Sequence, residues 1–224
     1  MTANVADATP NVTATLIDAL IASNRGDRHA FEFARKTYSY QDVAALMNRS
    51  GNMVRKLGVT AEDRVLLLVP ESPAFVASLL GVMKAGAVPI VGAPIDDAAA
   101  LANCIAAAAP VAAIVHETFL GNAATALDAI PRDAIIIVGT DVRGYKSFID
   151  EVRSQPSWLA ADPVRSDAPA LDIWNGSSIV TIAHGDIGEL INGDGNVANQ
   201  ASTAQSRVAA ILRAFSTGDT ARLE

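Results

Sequence analysis

Apolar positions along this chain follow two alternating patterns, one at helical spacing and one as short unbroken runs, and the alternation is regular up to about residue 138. Residues 11–23 place Leu16, Ile17, Leu20 and Ile21 on one helical face, and Asn24, Arg25 and Gly26 stop the turn. Residues 30–33 and Thr37–Tyr38 predict a short hairpin. Ser39 with Asp42 three positions on is a capping box, so a helix should follow, with Ala44, Ala45, Met47, Val54 and Leu57 on its apolar face. Gly58 ends it in the left-handed conformation that glycine adopts without a Cβ clash. The run 64–69, closed by Pro70, reads as a strand buried on both faces of a parallel sheet. A helix over 72–85, ended by Gly86, and a strand over 88–91 complete one βαβ unit. The pattern then repeats as helix 96–108, strand 111–115, helix 117–129 and strand 134–138. Each connection is long enough for the crossover that parallel strands require.

The last third changes character. Residues 155–169 hold three prolines among Asp, Ser and Ala and predict a linker. Beyond it, 171–174, 178–182 and 187–192 are short β-like runs separated by Asn175-Gly176, Gly185-Asp186 and Gly193-Asp194-Gly195. Asn-Gly between such runs signals a hairpin. Residues 203–214 read as a final helix. The expected organisation is an α/β N-terminal body over 1–154, a linker over 155–169 and a small antiparallel β region over 170–224.

Half of the residues are hydrophobic but only 5% are aromatic, so the core should be aliphatic, with many alanines letting helices lie close to a sheet. The formal net charge of -7 repels phosphate backbones and argues against nucleic acid as a partner. Cys104 lies between Leu101 and Ile105 and reads as a small buried side chain on a helix. His29, His116 and His184 are widely separated, without metal-ligand spacing. The Asn192–Asn196 stretch has calcium-loop composition but lacks the terminal glutamate, and it reads as a turn. Neither a basic, apolar leader nor a membrane-length apolar run is visible, so a cytoplasmic location away from membranes is expected.

The run YSYQDVAALMNRSGNMVRKLGVTAEDRVLLLVPESPAFVASLLGVMKAGAVPIVGAPI, residues 38–95, resembles the first subdomain of the adenylate-forming (AMP-binding) superfamily, which includes acyl-CoA synthetases and benzoate-CoA ligases. GDIGELINGDG and FSTGDTARLE resemble that family's GEIGEL barrel strand and the TGD motif after it. The resemblance implies an adenylate-forming large domain, internally deleted and without its C-terminal domain. It also implies that Asp219, with Thr217 and Gly218, corresponds to the group that holds the nucleotide ribose. A carboxylate accepting from two vicinal hydroxyls is a sound way to hold a ribose.

The family's phosphate loop, Ser/Thr/Gly-rich and ending in Pro-Lys-Gly, has no full counterpart. Trp174-Asn175-Gly176-Ser177-Ser178 is either its stump or, in the alignment preferred on sequence, the turn of a barrel hairpin. No lysine follows Lys146. With these clamps missing, ligase activity by the chain alone is not expected. No catalytic residue or metal ligand is assigned, and no cofactor is required, with ATP or AMP the nucleotide that the resemblance implies. The expected role is that of a non-catalytic relative acting as an interaction or binding module, whose partner would be a second copy or an intact ligase. The alternative is one part of an acyl- or aryl-acid CoA ligase that needs a complementing chain.

Overall fold

The computed structural model describes residues 8–93, 95–161, 163–192 and 203–223. In chain order the elements are β1 (Ala8–Thr9), a π-helical turn (Ala14–Asp18) running into α1 (Ala19–Ala22), β2 (His29–Phe33), β3 (Lys36–Ser39), α2 (Tyr40–Lys56), β4 (Arg64–Leu68), α3 (Pro73–Lys84) and β5 (Val88–Val91). There follow α4 (Ala98–Ala108), β6 (Ala112–His116), α5 (Leu120–Leu127), β7 (Ile135–Val138), β8 (Lys146–Ser147) and α6 (Phe148–Arg153). The last elements are β9 (Val164–Arg165), β10 (Pro169–Trp174), β11 (Ile179–Ala183), α7 (Ile187–Asn192), α8 (Thr203–Thr217) and β12 (Ala221–Arg222).

Among the described residues the largest sheet has seven strands in the order β11-β10-β5-β4-β6-β7-β8. All neighbours are parallel except β10 and β11, which form a hairpin. The chain leaves β4 for β5 on one side and returns to β6 on the other. Right-handed crossovers in opposite directions place their helices on opposite faces. Accordingly Val65, Leu67 and Ile114 pack in the core under α2 and α3, while Leu66, Leu68 and Val115 pack under α4 and α5. β4 and β6 are therefore covered by apolar packing on both faces, as the unbroken runs require.

The local signals act where expected. Ser39 accepts from the Asp42 N–H, and the Asp42 carboxylate accepts from the Ser39 N–H at 2.9 Å. Gly58 and Gly86 follow the ends of α2 and α3 at φ +86° and +81°. Where α2 crosses α3, Gly51 and Gly81 let the two backbones meet: a Cβ on Gly81 would lie 2.8 Å from the Gly51 nitrogen and 2.8 Å from the Met47 carbonyl oxygen.

The structure departs from expectation in several places. Residues 187–192, read as β-like, form the helix α7, because Ile187, Leu190 and Ile191 are buried at i, i+3 and i+4, a helical stripe and not an alternation. The hairpin signalled by Asn175-Gly176 does form, as β10–β11, and its first strand pairs with β5 so that it extends the large sheet. The 155–169 stretch is strapped to α2: Asn52 Nδ2 donates to the carbonyls of Pro156 (3.0 Å) and Trp158 (2.8 Å), and Asn48 Nδ2 to that of Ser157 (2.9 Å). Farther along it, β9 pairs with β1. The glycine turn at 193–195 and the calcium-like composition of 192–196 fall largely outside the described residues. No helix among those described is long and apolar enough to cross a membrane.

Candidate functional site

The direction of the chain reverses at β4, so the crevice beyond the C-terminal ends of β4 and β6 is the topological switch point at which open α/β sheets bind ligands. A cleft of about 910 Å³ lies there. Pro70–Ala74 close it after β4, His116 at the end of β6, and Val138 and Gly139 at the end of β7. The remaining walls come from the β2–β3 hairpin (Phe33, Lys36, Tyr38), α2 (Asp42, Ala45, Leu46, Arg49) and the start of α6. The four α2 residues are spaced i, i+3, i+4 and i+7, a stripe that lines the cleft, with Leu46 also packed against the core. Ala45, expected on the apolar core face, belongs to this stripe.

Behind the cleft, Ser72 caps α3 by accepting from the Phe75 N–H at 3.2 Å, with Pro73 at the first helical position. Between β6 and β7, Glu117 accepts from the N–H and hydroxyl of Thr140, and these bonds hold its carboxyl below the usual range. Gly139, at φ +113°, permits this approach, since a Cβ there would sit 2.7 Å from the Glu117 carboxyl carbon.

The sequence-derived positions lie elsewhere. Thr217, Gly218 and Asp219 end α8 in a Schellman motif: the Asp219 N–H donates to the Ala214 carbonyl at 2.8 Å, the Gly218 N–H to that of Phe215 at 3.3 Å, and Gly218 has φ +73°. Thr217 Oγ1 donates to Asp219 Oδ2 at 2.8 Å, and the Tyr40 hydroxyl donates to the Asp219 carbonyl at 2.5 Å. Burial raises the Tyr40 pKa to about 12, with the Arg28 charge opposing the rise and Asp219 adding to it. The three residues are thus together, with the Asp219 side chain exposed. The element before them, read as the barrel strand that precedes the family's TGD motif, is the helix α7.

Asn175–Ser178 form the β10–β11 turn. Asn175 Oδ1 accepts from the backbone N–H groups of Ser177 (3.1 Å) and Ser178 (2.9 Å) and from both serine hydroxyls (3.2 and 3.3 Å). A phosphate loop presents such N–H groups outward to an anion. Here the turn satisfies them internally, so on its own it does not fit nucleotide phosphates.

Among the other reactive side chains, Cys104 is buried on α4, and its thiol pKa rises to about 11 through burial, with the nearby Asp172 carboxylate adding to it. His184 is buried, burial lowers its pKa, and its Nδ1 has no partner among the described residues. Sequence reasoning missed the cleft and its cations, Lys36 and Arg49. The available signal was the 42/45/46/49 spacing on α2.

The family model described as "AMP-binding enzyme" matches residues 20–178. The chain is 36% identical over 80 residues to the 3-hydroxybenzoate–CoA/4-hydroxybenzoate–CoA ligase of Thauera aromatica, covering 36% of this chain and 15% of that one. It is 26% identical over 166 residues to the salicyl-AMP ligase/salicyl-S-ArCP synthetase of Mycobacterium tuberculosis, covering 72% and 29%. The benzoate CoA ligase of Burkholderia xenovorans LB400 superimposes with a TM-score of 0.80 at 18% identity, covering 95% of this chain and 45% of that chain. The chain thus spans less than half the length of each of these relatives. With most of its length matched by that model, the chain belongs to the AMP-binding enzyme family.

Proposed function

We propose that this chain supplies the α/β body of an ATP-dependent carboxylate-activating ligase of the aryl-CoA type, and that a second polypeptide supplies the groups that clamp the nucleotide phosphates. The observation that carries this reading is the Asn175–Ser178 turn, whose N–H groups are taken by Asn175 Oδ1 and which carries no lysine. Phosphoryl and adenylyl transfer rest on electrostatic clamps on the phosphates. A chain with its turn closed on itself has the scaffold without them. The relatives named above are ligases of hydroxybenzoic, benzoic and salicylic acids, which supports an aromatic acid as the substrate class.

The test is acid-dependent pyrophosphate release with benzoate, 3-hydroxybenzoate and salicylate. It is measured on the chain alone and on the chain mixed with a separately made remainder of the Thauera hydroxybenzoate ligase, from its phosphate loop onward. Release in the mixture alone is the expected result. Release by the chain alone overturns the need for a partner. Silence in both overturns the complementation reading and leaves the interaction module.

A further inference from the structure

The cleft at the β4/β6 switch point holds an unbalanced set of charges. Its two carboxylates are engaged: Asp42 accepts from the Ser39 N–H and hydroxyl at 2.9 Å each, and Glu71 lies 3.4 Å from Arg207. His116 Nδ1 is bonded to the Thr118 hydroxyl at 2.9 Å. The cations are not balanced in this way. Lys36 sits with Nζ 4.6 Å from the Tyr38 ring centroid, which leaves its charge available. Arg49 has a partly buried side chain whose Nε is shielded from solvent without a hydrogen-bond partner among the described residues. A shielded guanidinium nitrogen without an acceptor is costly, and an anion in the cleft would supply one.

The rest of the wall is apolar, with small residues where two helices face the space: Ala45 on α2, Ala74 and Ala77 on α3. These alanines leave the volume open, and about 910 Å³ is within the range of small-molecule sites. Position, size, apolar lining and two available cations in a chain of net charge -7 converge on one ligand chemistry.

We propose that this cleft binds an amphipathic anion, with its single anionic head on Arg49 and Lys36 and its apolar body between the β2–β3 hairpin and the alanines of α2 and α3. The site is separate from the Asn175–Ser178 turn, and its occupancy does not require adenylation.

The test uses a matched pair of fluorescent probes, 8-anilinonaphthalene-1-sulfonate and the uncharged N-phenyl-1-naphthylamine, titrated into the full chain without nucleotide. The sulfonate should bind saturably at one site and about tenfold more tightly than the uncharged probe, the ratio expected from one charge-assisted contact. Arg49→Met should weaken the sulfonate about tenfold and leave the uncharged probe unchanged. Ala74→Leu, which fills the space from a helix surface, should weaken both. The proposal is overturned if the two probes bind the unmodified chain equally well, if the sulfonate does not saturate, or if neither substitution changes its affinity. The probe comparison needs no variant, so it decides the matter even where a substitution disturbs folding.

Discussion

Removing either partner of the Arg64–Asp172 ion pair should cost unequal amounts, because the two sit in different dielectric surroundings. Asp172 lies in β10 with its side chain fully buried, whereas the Arg64 side chain on β4 is 38% exposed. The carboxylate accepts from Arg64 Nε at 2.7 Å and from the Thr181 hydroxyl of β11 at 2.6 Å, so it ties together strands on both sides of β5. Arg64→Met strands a buried carboxylate with one neutral donor, and losing one partner of a buried pair costs about 3–5 kcal/mol. Asp172→Asn keeps one acceptor oxygen for Arg64, places an NH2 that can donate to the Thr181 hydroxyl, and leaves a guanidinium that can turn to water, so the loss is about 1–2 kcal/mol. The difference of ~2 kcal/mol corresponds to about 1 M in urea midpoint for an m-value of ~2 kcal/mol/M. Unfolding followed by far-UV circular dichroism and by fluorescence of the buried Trp174 measures it. The double substitution should be more stable than Arg64→Met alone, since it removes the stranded charge. Equal midpoints for the two single variants, or a lower one for Asp172→Asn, would refute the reasoning.

Two further outcomes follow from the packing and the titrations. Gly81→Ala should lower stability by about 1–3 kcal/mol or more, since the added Cβ meets backbone atoms of α2 that cannot rotate away, and a urea titration reads the loss. Tyr40 has a folded pKa raised to about 12 from 10.0, so its stabilising effect is complete below pH 10 and is lost as pH rises toward 12. Tyr40→Phe should flatten that alkaline decline in a series of thermal melts, and an unchanged slope would assign the decline to other groups.

What could be read from the sequence was local chemistry with a fixed spacing. The Ser39/Asp42 box, Gly58 and Gly86 each impose a boundary through one or two residues, and the unbroken runs at 64–69 and 134–138 require two covered faces. Residues 187–192 misled because glycine and β-branched residues outweighed a helical stripe of only three apolar positions. The two-residue strands β1, β8, β9 and β12 are too short for any period, and their pairing is decided by what lies beside them. The cleft was out of reach for a related reason. Its α2 stripe is visible as a spacing, yet whether 42, 45, 46 and 49 face solvent, core or a ligand depends on where the β2–β3 hairpin and the end of β6 come to rest. Asn175 stood out as a turn former, but the capture of two N–H groups by its own side chain is a matter of geometry.

The parallel pairing of β12 with β2 has a consequence for the order in which the molecule is made. Thr220 donates to the carbonyl of His29 across 191 positions of chain, and Ala221 and Arg222 register with Phe31 and Glu32. At a synthesis rate of about 5–20 residues per second, the hairpin emerges roughly 10–40 s before the strand that covers its open edge. Through that interval β2 presents unpaired main-chain groups beside Phe31, whose ring stacks on Tyr38 at 4.7 Å. The nascent chain therefore depends on the speed of its own translation, and slowing the ribosome after residue 192 should lengthen the time during which that edge can recruit a neighbouring chain.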